Sequence, residues 1–224
     1  LSLSSAQYVG DDRQEITEAL TKSFQSGDVV FSTGGIGATP DDHTRQCAAQ
    51  ALNVPLALHP EAESLIRERM RDVAREQGKT YEPDHPDNVH RLNMGVFPAG
   101  AQIIPNPYNK IPGFTCRSPG GHGAVHFVPG FPVMAWPMIE WVLDTRYRHL
   151  FHQVKEAEAS IMVFGLPESG ITPLMTDAEA KYAGLKSFSL PSVGEDGSRR
   201  HIELGVRGNP EEVTLAIEEM KNGV

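Results

Sequence analysis

A short apolar strand followed at once by a glycine-rich loop and a helix is the feature that most constrains this chain. The segment Val29-Val30-Phe31 has the composition of a buried strand, and Thr33-Gly34-Gly35-Ile36-Gly37 follows it. A helical pattern then runs from Asp41 to Leu52. Glycines let backbone N–H groups approach an anion, and the next helix offers its positive end. The segment therefore predicts an α/β sheet with a ligand-binding loop at a strand end.

The glycine loop and the acidic pair behind it each have a structural alternative. The glycines can serve only a tight turn, and neither Gly-x-x-x-x-Gly-Lys-Ser/Thr nor Gly-x-Gly-x-x-Gly is present to decide. Of Asp41 and Asp42, one can cap the helix. Two carboxylates beside an anion site would repel a phosphate unless a divalent cation lay between them. Capping and catalysis therefore both stay open for this pair.

Composition and charge exclude several classes of protein. With 39% hydrophobic and 22% charged residues over 224 positions, the chain can bury a sizeable core. Its net charge of -9 disfavours a nonspecific nucleic-acid partner and an anionic membrane surface. Cys47 and Cys116 cannot form a disulfide framework, and no signal peptide or run of about 18 apolar residues is found. We therefore expect a cytoplasmic protein without nucleic-acid or membrane partners.

Periodicity divides the chain into an α/β domain over residues 1–152 and a small α+β domain over residues 153–224. In the first domain we predict a strand from Leu1 to Val9, a helix from Pro60 to Gln77, and a polar surface loop from Gly78 to Asn93. These three segments combine alternating, helical and proline-interrupted patterns. The first domain is therefore predicted to mix strands and helices along its whole length.

The second domain has the order strand, helix, strand, strand, helix. Ser169 is a candidate cap for its first helix. Asn209 followed by Pro210 marks the start of the last helix, because these residue types are favoured at the cap and at the first helical position. We therefore predict a β-α-β-β-α unit.

The segment from Thr33 to Arg45 resembles the signature of the molybdopterin-binding domain family, which includes molybdopterin adenylyltransferases. It is most similar to the N-terminal domain of competence/damage-inducible CinA proteins, which carry Thr-Gly-Gly-Leu-Gly-Pro-Thr-Xaa-Asp-Asp-Xaa-Thr-Arg. Two further motifs follow in the family's order: Asn106-Pro107 with Pro112-Gly113-Phe114, and Pro129-Gly130-Phe131-Pro132-Val133-Met134. Three ordered motifs make the resemblance specific.

The resemblance implies a three-layer α/β domain with a mostly parallel sheet, followed by the small α+β domain of CinA-like proteins. It also implies a homo-oligomer, for which the apolar helix faces offer contacts. Trp136 and Trp141 suit core packing or such an oligomer contact better than a base-stacking platform.

The site residues are implied by the resemblance position by position. Asp42 matches a family aspartate of adenylyl-transfer or hydrolytic chemistry, and Asp41 is shared with the CinA branch. A divalent metal, Mg²⁺ or Co²⁺, would accompany them. The turn from Pro129 to Pro132 would wall the pocket, or be purely a strand-to-helix turn. The implied contacts to a molybdopterin or nucleotide ligand are Thr33, Gly34, Gly35, Gly37, Thr39, Asn106, Pro129, Gly130 and Pro132.

Three functions follow from the resemblance. The first is a metal-dependent hydrolase of a nucleoside diphosphate linkage, of the ADP-ribose pyrophosphatase type, or a related pterin-nucleotide reaction. The second is a noncatalytic pterin- or nucleotide-binding module related to molybdenum cofactor biosynthesis proteins. The third is a vestigial structural partner. In each case the glycine loop is the segment that meets the ligand.

The chain also departs from the family. The family's first strand with its Gly-Asp-Glu motif, and the acidic segment that follows it, are not found. Either residues upstream of Leu1 are missing, or this chain lacks part of the site; we favour the former, because loss of a central strand would expose two sheet edges. The C-terminal amidase domain of full CinA proteins is not found either, so nicotinamide-nucleotide deamidation is not assigned. Two histidine pairs, His149 with His152 and His122 with His126, have metal-ligand spacing, but surface or core roles are favoured because no third ligand has motif spacing.

Overall fold

The computed structural model describes residues 1–118, 120, 123–151, 153, 156–193 and 200–224. The chain divides into two compact units, residues 2–149 and residues 150–224. No helix among the described residues combines the length and the apolar character needed to cross a membrane.

The first unit contains five α-helices and six strands within its described residues. The helices are α1 (Arg13–Gln25), α2 (Thr44–Leu52), α3 (Pro60–Glu76), α4 (Pro86–Arg91) and α5 (Pro132–Val142). The strands are β1 (Val29–Thr33), β2 (Leu56–Leu58), β3 (Val96–Pro98), β4 (Gln102–Ile104), β5 (Gly113–Arg117) and β6 (Ala124–Val128). A 3-10 turn, Leu92–Gly95, follows α4, and a π-helical turn, Leu143–Tyr147, follows α5.

The main sheet has the order β1-β6-β5-β4, and only β1 and β6 are parallel. β5 pairs antiparallel with both β4 and β6, and β2 pairs antiparallel with β3 in a small second sheet. The prediction of a mostly parallel sheet is therefore wrong. The connections over 105–112 and 118–123 explain this, because they are too short for a crossover and can only join antiparallel neighbours.

Two local predictions in this unit are also wrong. The segment Leu1–Val9 forms no strand and is exposed throughout, since its alternating pattern finds no sheet edge to supply hydrogen bonds. The predicted loop over Gly78–Asn93 contains α4, whose start is set by Pro86 and by the His85 side chain, which accepts from the Asp87 N–H at 3.3 Å. The predicted helix from Pro60 is confirmed and ends at Glu76.

Three phenylalanines form the centre of the core beneath the main sheet. Phe97, Phe114 and Phe127 are fully buried and stack in one column, with ring centroids 4.5 Å and 4.4 Å apart. Phe24 from α1 continues the column at 6.5 Å from Phe127. Because these rings come from four separate elements, the column joins a helix to the strands of both sheets.

The second unit consists of β7 (Ala157–Phe164), α6 (Glu168–Lys181), β8 (Lys186–Ser192), β9 (His201–Gly208) and α7 (Pro210–Gly223). Its three strands form an antiparallel sheet in the order β7-β9-β8.

The start of α6 differs from its prediction, because the helix begins at Glu168 and Ser169 lies in its first turn, so Ser169 is not the cap. The predicted cap of α7 is confirmed, since the Asn209 side chain accepts from the Glu211 N–H at 2.9 Å.

Candidate functional site

The glycine loop and the 129–132 turn meet at one edge of the main sheet. β1 and β6 run parallel with Thr33 opposite Val128, so both segments leave the sheet at the same end. The Gly34 N–H donates to the Val128 carbonyl at 3.0 Å. A Cβ placed on Gly130 would lie 3.5 Å from the Gly34 Cα. The two backbones therefore pass in contact, which a larger residue at either position would disturb.

The glycine loop has a conformation that its residue types make possible. Gly34 and Gly35 have φ values of +92° and +66°, in the region that L side chains avoid. A Cβ on Gly35 would collide with the Thr44 hydroxyl. The Thr44 N–H donates to the Gly35 carbonyl at 3.1 Å, and its hydroxyl donates to the Gly34 carbonyl at 3.3 Å. The loop is thus folded back onto the first residue of α2.

The Asp42 carboxylate is held by the loop rather than by a helix. Its Oδ2 accepts from the Thr39 N–H at 2.8 Å and from the Thr39 hydroxyl at 2.6 Å. A Cβ on Gly37 would lie 2.5 Å from the same oxygen, so a glycine there makes room for the carboxylate. Burial raises the pKa of Asp42, but the hydrogen bonds from Thr39 and Gly37 and the charge of Arg45 outweigh it, and the pKa is lowered. Asp42 is therefore ionised at neutral pH.

Neither member of the acidic pair caps α2. The helix begins at Thr44, and His43 occupies the cap position without a side-chain hydrogen bond. Asp41 is exposed, next to the partly buried Asp42. The capping alternative is therefore wrong, and both carboxylates stay available as charge at the mouth of the loop.

Arg45 ends the Thr33–Arg45 segment, and no role was predicted for its side chain. Only 4% of its surface is exposed, and its guanidinium donates to the Gly37 carbonyl. Its Nε is buried without a hydrogen-bond partner. Burial lowers the pKa of Arg45 and the Asp42 charge raises it, with a net lowering that still leaves an arginine charged. A buried positive charge therefore lies directly beneath the glycine loop.

His90 reaches the glycine loop from α4. Its Nε2 lies 3.0 Å from the Ala38 carbonyl, and its Nδ1 lies 3.4 Å from the Asn93 amide. An N–H at Nε2 would donate to that carbonyl. No sequence signal marks His90, because the contact joins segments that lie far apart along the chain.

Asn106 lies at the same sheet edge but serves its own loop. The register Ile104 to Gly113 places the end of β4 at this edge. The buried Asn106 amide donates to Asn109 Oδ1 at 2.8 Å and to the Ile111 carbonyl at 3.0 Å. Its side-chain oxygen accepts from the Tyr108 N–H at 3.0 Å. Asn106 therefore shapes the 106–111 loop.

The remaining candidate ligand contacts lie in or next to the glycine loop and the 129–132 turn. Thr33 is exposed at the end of β1, Pro129 follows β6, and Pro132 is the first residue of α5. The structure thus brings Thr33, Gly34, Gly35, Gly37, Thr39 and Asp42 together in one loop, with the 129–132 turn against it.

Only one member of each histidine pair, His126 and His149, lies within the described residues. His126 is fully buried between the Thr115 hydroxyl and the Tyr147 hydroxyl, each at 2.8 Å, so the core role is confirmed for it. His122 and His152 lie outside the described residues. Within the described part of the chain, no group of three or more histidine, cysteine, aspartate or glutamate side chains could hold a metal ion.

The fold and loop geometry agree with the comparison of this chain with known families. The family described as "Probable molybdopterin binding domain" matches residues 1–149, and the chain belongs to this family. The predicted membership is confirmed.

Several relatives are CinA-like proteins. One from Anaeromyxobacter dehalogenans (strain 2CP-C) is 35% identical over 177 residues, which cover 76% of this chain and 40% of the relative. One from Geobacter metallireducens is 33% identical and covers 79% of this chain and 40% of the relative. This chain therefore spans about two fifths of the length of these relatives.

A shorter relative and a solved structure extend the comparison. A protein from Pyrobaculum arsenaticum is 31% identical over 205 residues, which cover 91% of this chain and 73% of the relative. The crystal structure of the protein CinA from Thermoplasma acidophilum, described as of unknown function, is 27% identical, with a TM-score of 0.47 over 60% of this chain and 71% of that chain.

Proposed function

We propose that this chain is a binding module for the phosphate group of a pterin or nucleotide, with the glycine loop as the phosphate site. The observation that carries the proposal is the convergence of the Gly34–Gly37 loop, the Gly130 turn and the start of α2 above the buried Arg45 charge. A helix start and a buried cation both favour an anion. Family membership supports the same class of ligand.

Arg45 resolves part of the conflict between an anion site and the two aspartates. Its guanidinium donates a hydrogen bond to the Gly37 carbonyl, and its positive charge lowers the pKa of Asp42. The positive charge of Arg45 therefore partly neutralises the negative charge of Asp42. A phosphate on the glycines would then meet a loop of reduced negative potential. Asp41 is exposed, so solvent screens its charge.

Hydrolysis of a nucleoside diphosphate linkage is the finer proposal for the same site. The observation that favours it is the ionised Asp42 in the loop beside Asp41. These two carboxylates alone are too few to enclose a metal, so Mg²⁺ or Co²⁺ would be held jointly by them and by phosphate oxygens, as Mg²⁺ usually is. Such a cation would neutralise phosphate charge. The alternative is a noncatalytic module that only binds.

Calorimetry with AMP tests the binding proposal. The intact protein is expected to bind AMP, and Gly130→Val is expected to lose at least about tenfold in affinity, because the new side chain would press on Gly34. Gly170→Ala, in the second unit, is the control that keeps the affinity. Absence of AMP binding by the intact protein would reject the phosphate site.

Product analysis separates the hydrolase from the binding module. Incubation with ADP-ribose and Mg²⁺ or Co²⁺ should release AMP if the chain is a hydrolase, and Asp42→Ala should abolish the release. Binding of ADP-ribose without AMP release would leave the noncatalytic module.

Self-association is a second property that we propose for the first unit. Phe131, Val133 and Trp136 are 67%, 59% and 70% exposed at the start of α5. Such a contiguous exposed apolar patch is typical of a contact surface. Sedimentation at micromolar concentration should show an oligomer that Trp136→Glu converts to monomer, and a monomer of the unmodified protein would contradict this.

A further inference from the structure

The face of the main sheet that packs against α5 carries a row of polar side chains at the end remote from the glycine loop. Gln102, Thr115 and His126 lie side by side on β4, β5 and β6. Arg117 follows Thr115 by two positions, and alternate residues of a strand share a face, so Arg117 extends this polar row. It lies opposite the first residue of β6, whereas the glycine loop meets the sheet at the last one, about 13 Å away. The row is therefore separate from the candidate phosphate site.

The π-helical turn after α5 holds Arg146 and Tyr147 over this row. The Tyr147 hydroxyl lies 2.8 Å from His126 Nε2, and Arg146 Nη1 donates to Gln102 Oε1 at 3.0 Å. The Arg146 guanidinium also lies 5.7 Å from the centre of the Trp141 ring. Turns of the π type are frequent at functional sites. The Arg146 guanidinium is therefore held on two sides before any ligand binds.

Arg117 and Arg146 form a pair of like charges without an acidic partner. Burial and the charge of Arg117 lower the pKa of Arg146, but an arginine stays charged. No carboxylate in the described part of the chain lies within ion-pair distance of either guanidinium. This is unusual in a chain with a net charge of -9, because two neighbouring positive charges repel each other. Such a pair is typical of a site where the counter-ion is a ligand.

We propose that Arg117 and Arg146 bind a small oxyanion, a dicarboxylate or a phosphate, at this end of the main sheet. The planar fork of a guanidinium can donate two parallel hydrogen bonds to one carboxylate or phosphate group. A ligand with two or more anionic oxygens would neutralise both charges at once. Arg117 is exposed and Arg146 is half-buried, so the ligand can enter from solvent. The site uses no residue of the glycine loop, and the inference does not rest on the proposed function.

Trp141 supplies an optical probe for this site. Trp136→Phe leaves Trp141 as the only tryptophan, beside the Arg146 guanidinium. Its fluorescence would be titrated with sodium malonate and with sodium phosphate, with sodium chloride to keep the ionic strength constant. We expect saturation at about millimolar concentrations, because the site is open to solvent, and the same malonate affinity in calorimetry of the unmodified protein. If neither anion gives saturation, the proposal is overturned.

Three variants in the Trp136→Phe background test whether the arginine pair binds the anion. Arg117→Gln should weaken binding at least about fivefold, and Arg117→Lys should give an intermediate affinity, because lysine keeps the charge and loses the planar fork. Arg75→Gln is the matched control, since it removes the same charge from α3, where the Arg75 side chain is 79% exposed, and should keep the affinity within about twofold. Unchanged affinity in Arg117→Gln, or an equal loss in Arg75→Gln, overturns the proposal.

Two further variants test the second arginine and the place of binding. Arg146→Gln should also weaken binding at least about fivefold. If circular dichroism shows that it does not fold, the exposed Arg117 decides the question alone. Gly130→Val, which disturbs the glycine loop, should keep the malonate affinity of the arginine pair. Loss of malonate binding in folded Gly130→Val would mean that the anion binds at the glycine loop, and the proposal would be overturned.

Discussion

Asp42 and Thr39 are joined by two hydrogen bonds that end on one carboxylate oxygen, from the Thr39 N–H at 2.8 Å and from its hydroxyl at 2.6 Å. The Asp42 N–H in turn donates to the Thr39 carbonyl at 3.0 Å. These three bonds close the end of the glycine loop from Thr39 to Asp42. The conformation of the loop therefore depends on the charge of one side chain.

This pairing predicts a pH-dependent contribution of Asp42 to stability. The pKa of Asp42 in the folded protein lies below its ordinary value of 3.8, so its contribution is complete above about pH 5 and is lost as the pH falls through the folded pKa. We expect Asp42→Ala to lower the free energy of unfolding at pH 7 and the difference from the unmodified protein to shrink below pH 4. Urea unfolding followed by tryptophan fluorescence measures this, since both tryptophans lie in the first unit.

Thr39→Val is the matched test of the same contact. Thr39→Val removes the hydroxyl donor and keeps the N–H. We therefore expect it to lower the free energy of unfolding about half as much as Asp42→Ala does, in the range of about 0.5–1.5 kcal/mol for one hydrogen bond. A difference between Asp42→Ala and the unmodified protein that stays constant from pH 7 to pH 3 would contradict the assignment.

Gly37→Ala is predicted to destabilise the first unit by about 1–3 kcal/mol and to weaken AMP binding. The new Cβ would lie 2.5 Å from the Asp42 Oδ2 and would push the carboxylate away from Thr39. Gly170→Ala is the control, because its Cβ would meet only ordinary contacts of 3.8 Å in α6 and should be neutral or stabilise by about 0.5 kcal/mol. Unfolding curves of both variants measure the two changes in stability. Equal changes for Gly37→Ala and Gly170→Ala would contradict the prediction.

The buried His126 is predicted to weaken the fold at mildly acidic pH. Burial, with the charges of Arg146 and Arg117, lowers its pKa from 6.5 to about 3. The unfolded chain therefore binds a proton between pH 6.5 and pH 3 that the folded protein does not. Stability is complete above pH 6.5 and falls below it by up to about 1.4 kcal/mol per pH unit.

His126→Gln should remove this slope between pH 6.5 and pH 4 even if it lowers stability at pH 7. His85→Gln, at a half-exposed position, should keep the slope of the unmodified protein. Urea unfolding at half-unit pH intervals measures both, and parallel curves for the two variants would show that His126 does not titrate as described.

The two cysteines are predicted to react slowly with thiol reagents in the folded protein. Cys47 and Cys116 are 1% and 3% exposed, and burial raises the pKa of Cys116 to about 12. Against an ordinary thiol value of 9.0, three pH units reduce the thiolate fraction at pH 8 about a thousandfold. A colorimetric thiol assay should show that both thiols react slowly in buffer and that two thiols per chain react in guanidinium chloride. Rapid reaction of one thiol in buffer would mean that this part of the core opens.

Local signals predicted those parts of the fold that depend on neighbouring residues. Asn209 caps α7 because its side chain needs only the N–H of Glu211, two positions away. Gly34 and Gly35 adopt positive φ angles, as a glycine-rich turn after a strand suggests. The family resemblance then supplied the partner turn around Gly130, which no local pattern could have placed against Gly34.

Sequence patterns did not predict contacts between segments that are far apart along the chain. The His90 contact with Ala38 joins α4 to the glycine loop and depends on the whole first unit. The sequence left open whether one of the acidic pair caps α2; Thr39 supplies Asp42 with donors in the loop instead, and the helix starts at Thr44. The antiparallel character of the main sheet could have been inferred from the short connection between β4 and β5, whereas the strand predicted for Leu1–Val9 failed because no sheet edge receives it.

The contact between Gly34 and Gly130 also determines when the site can form during synthesis. The two glycines belong to opposite halves of the first unit, and β6, the parallel partner of β1, is made much later than β1. Closing so long a loop costs entropy that only the later packing of the sheet repays. A ribosome-bound chain that stops before β6 would therefore carry the complete glycine motif and still be unable to capture a phosphate.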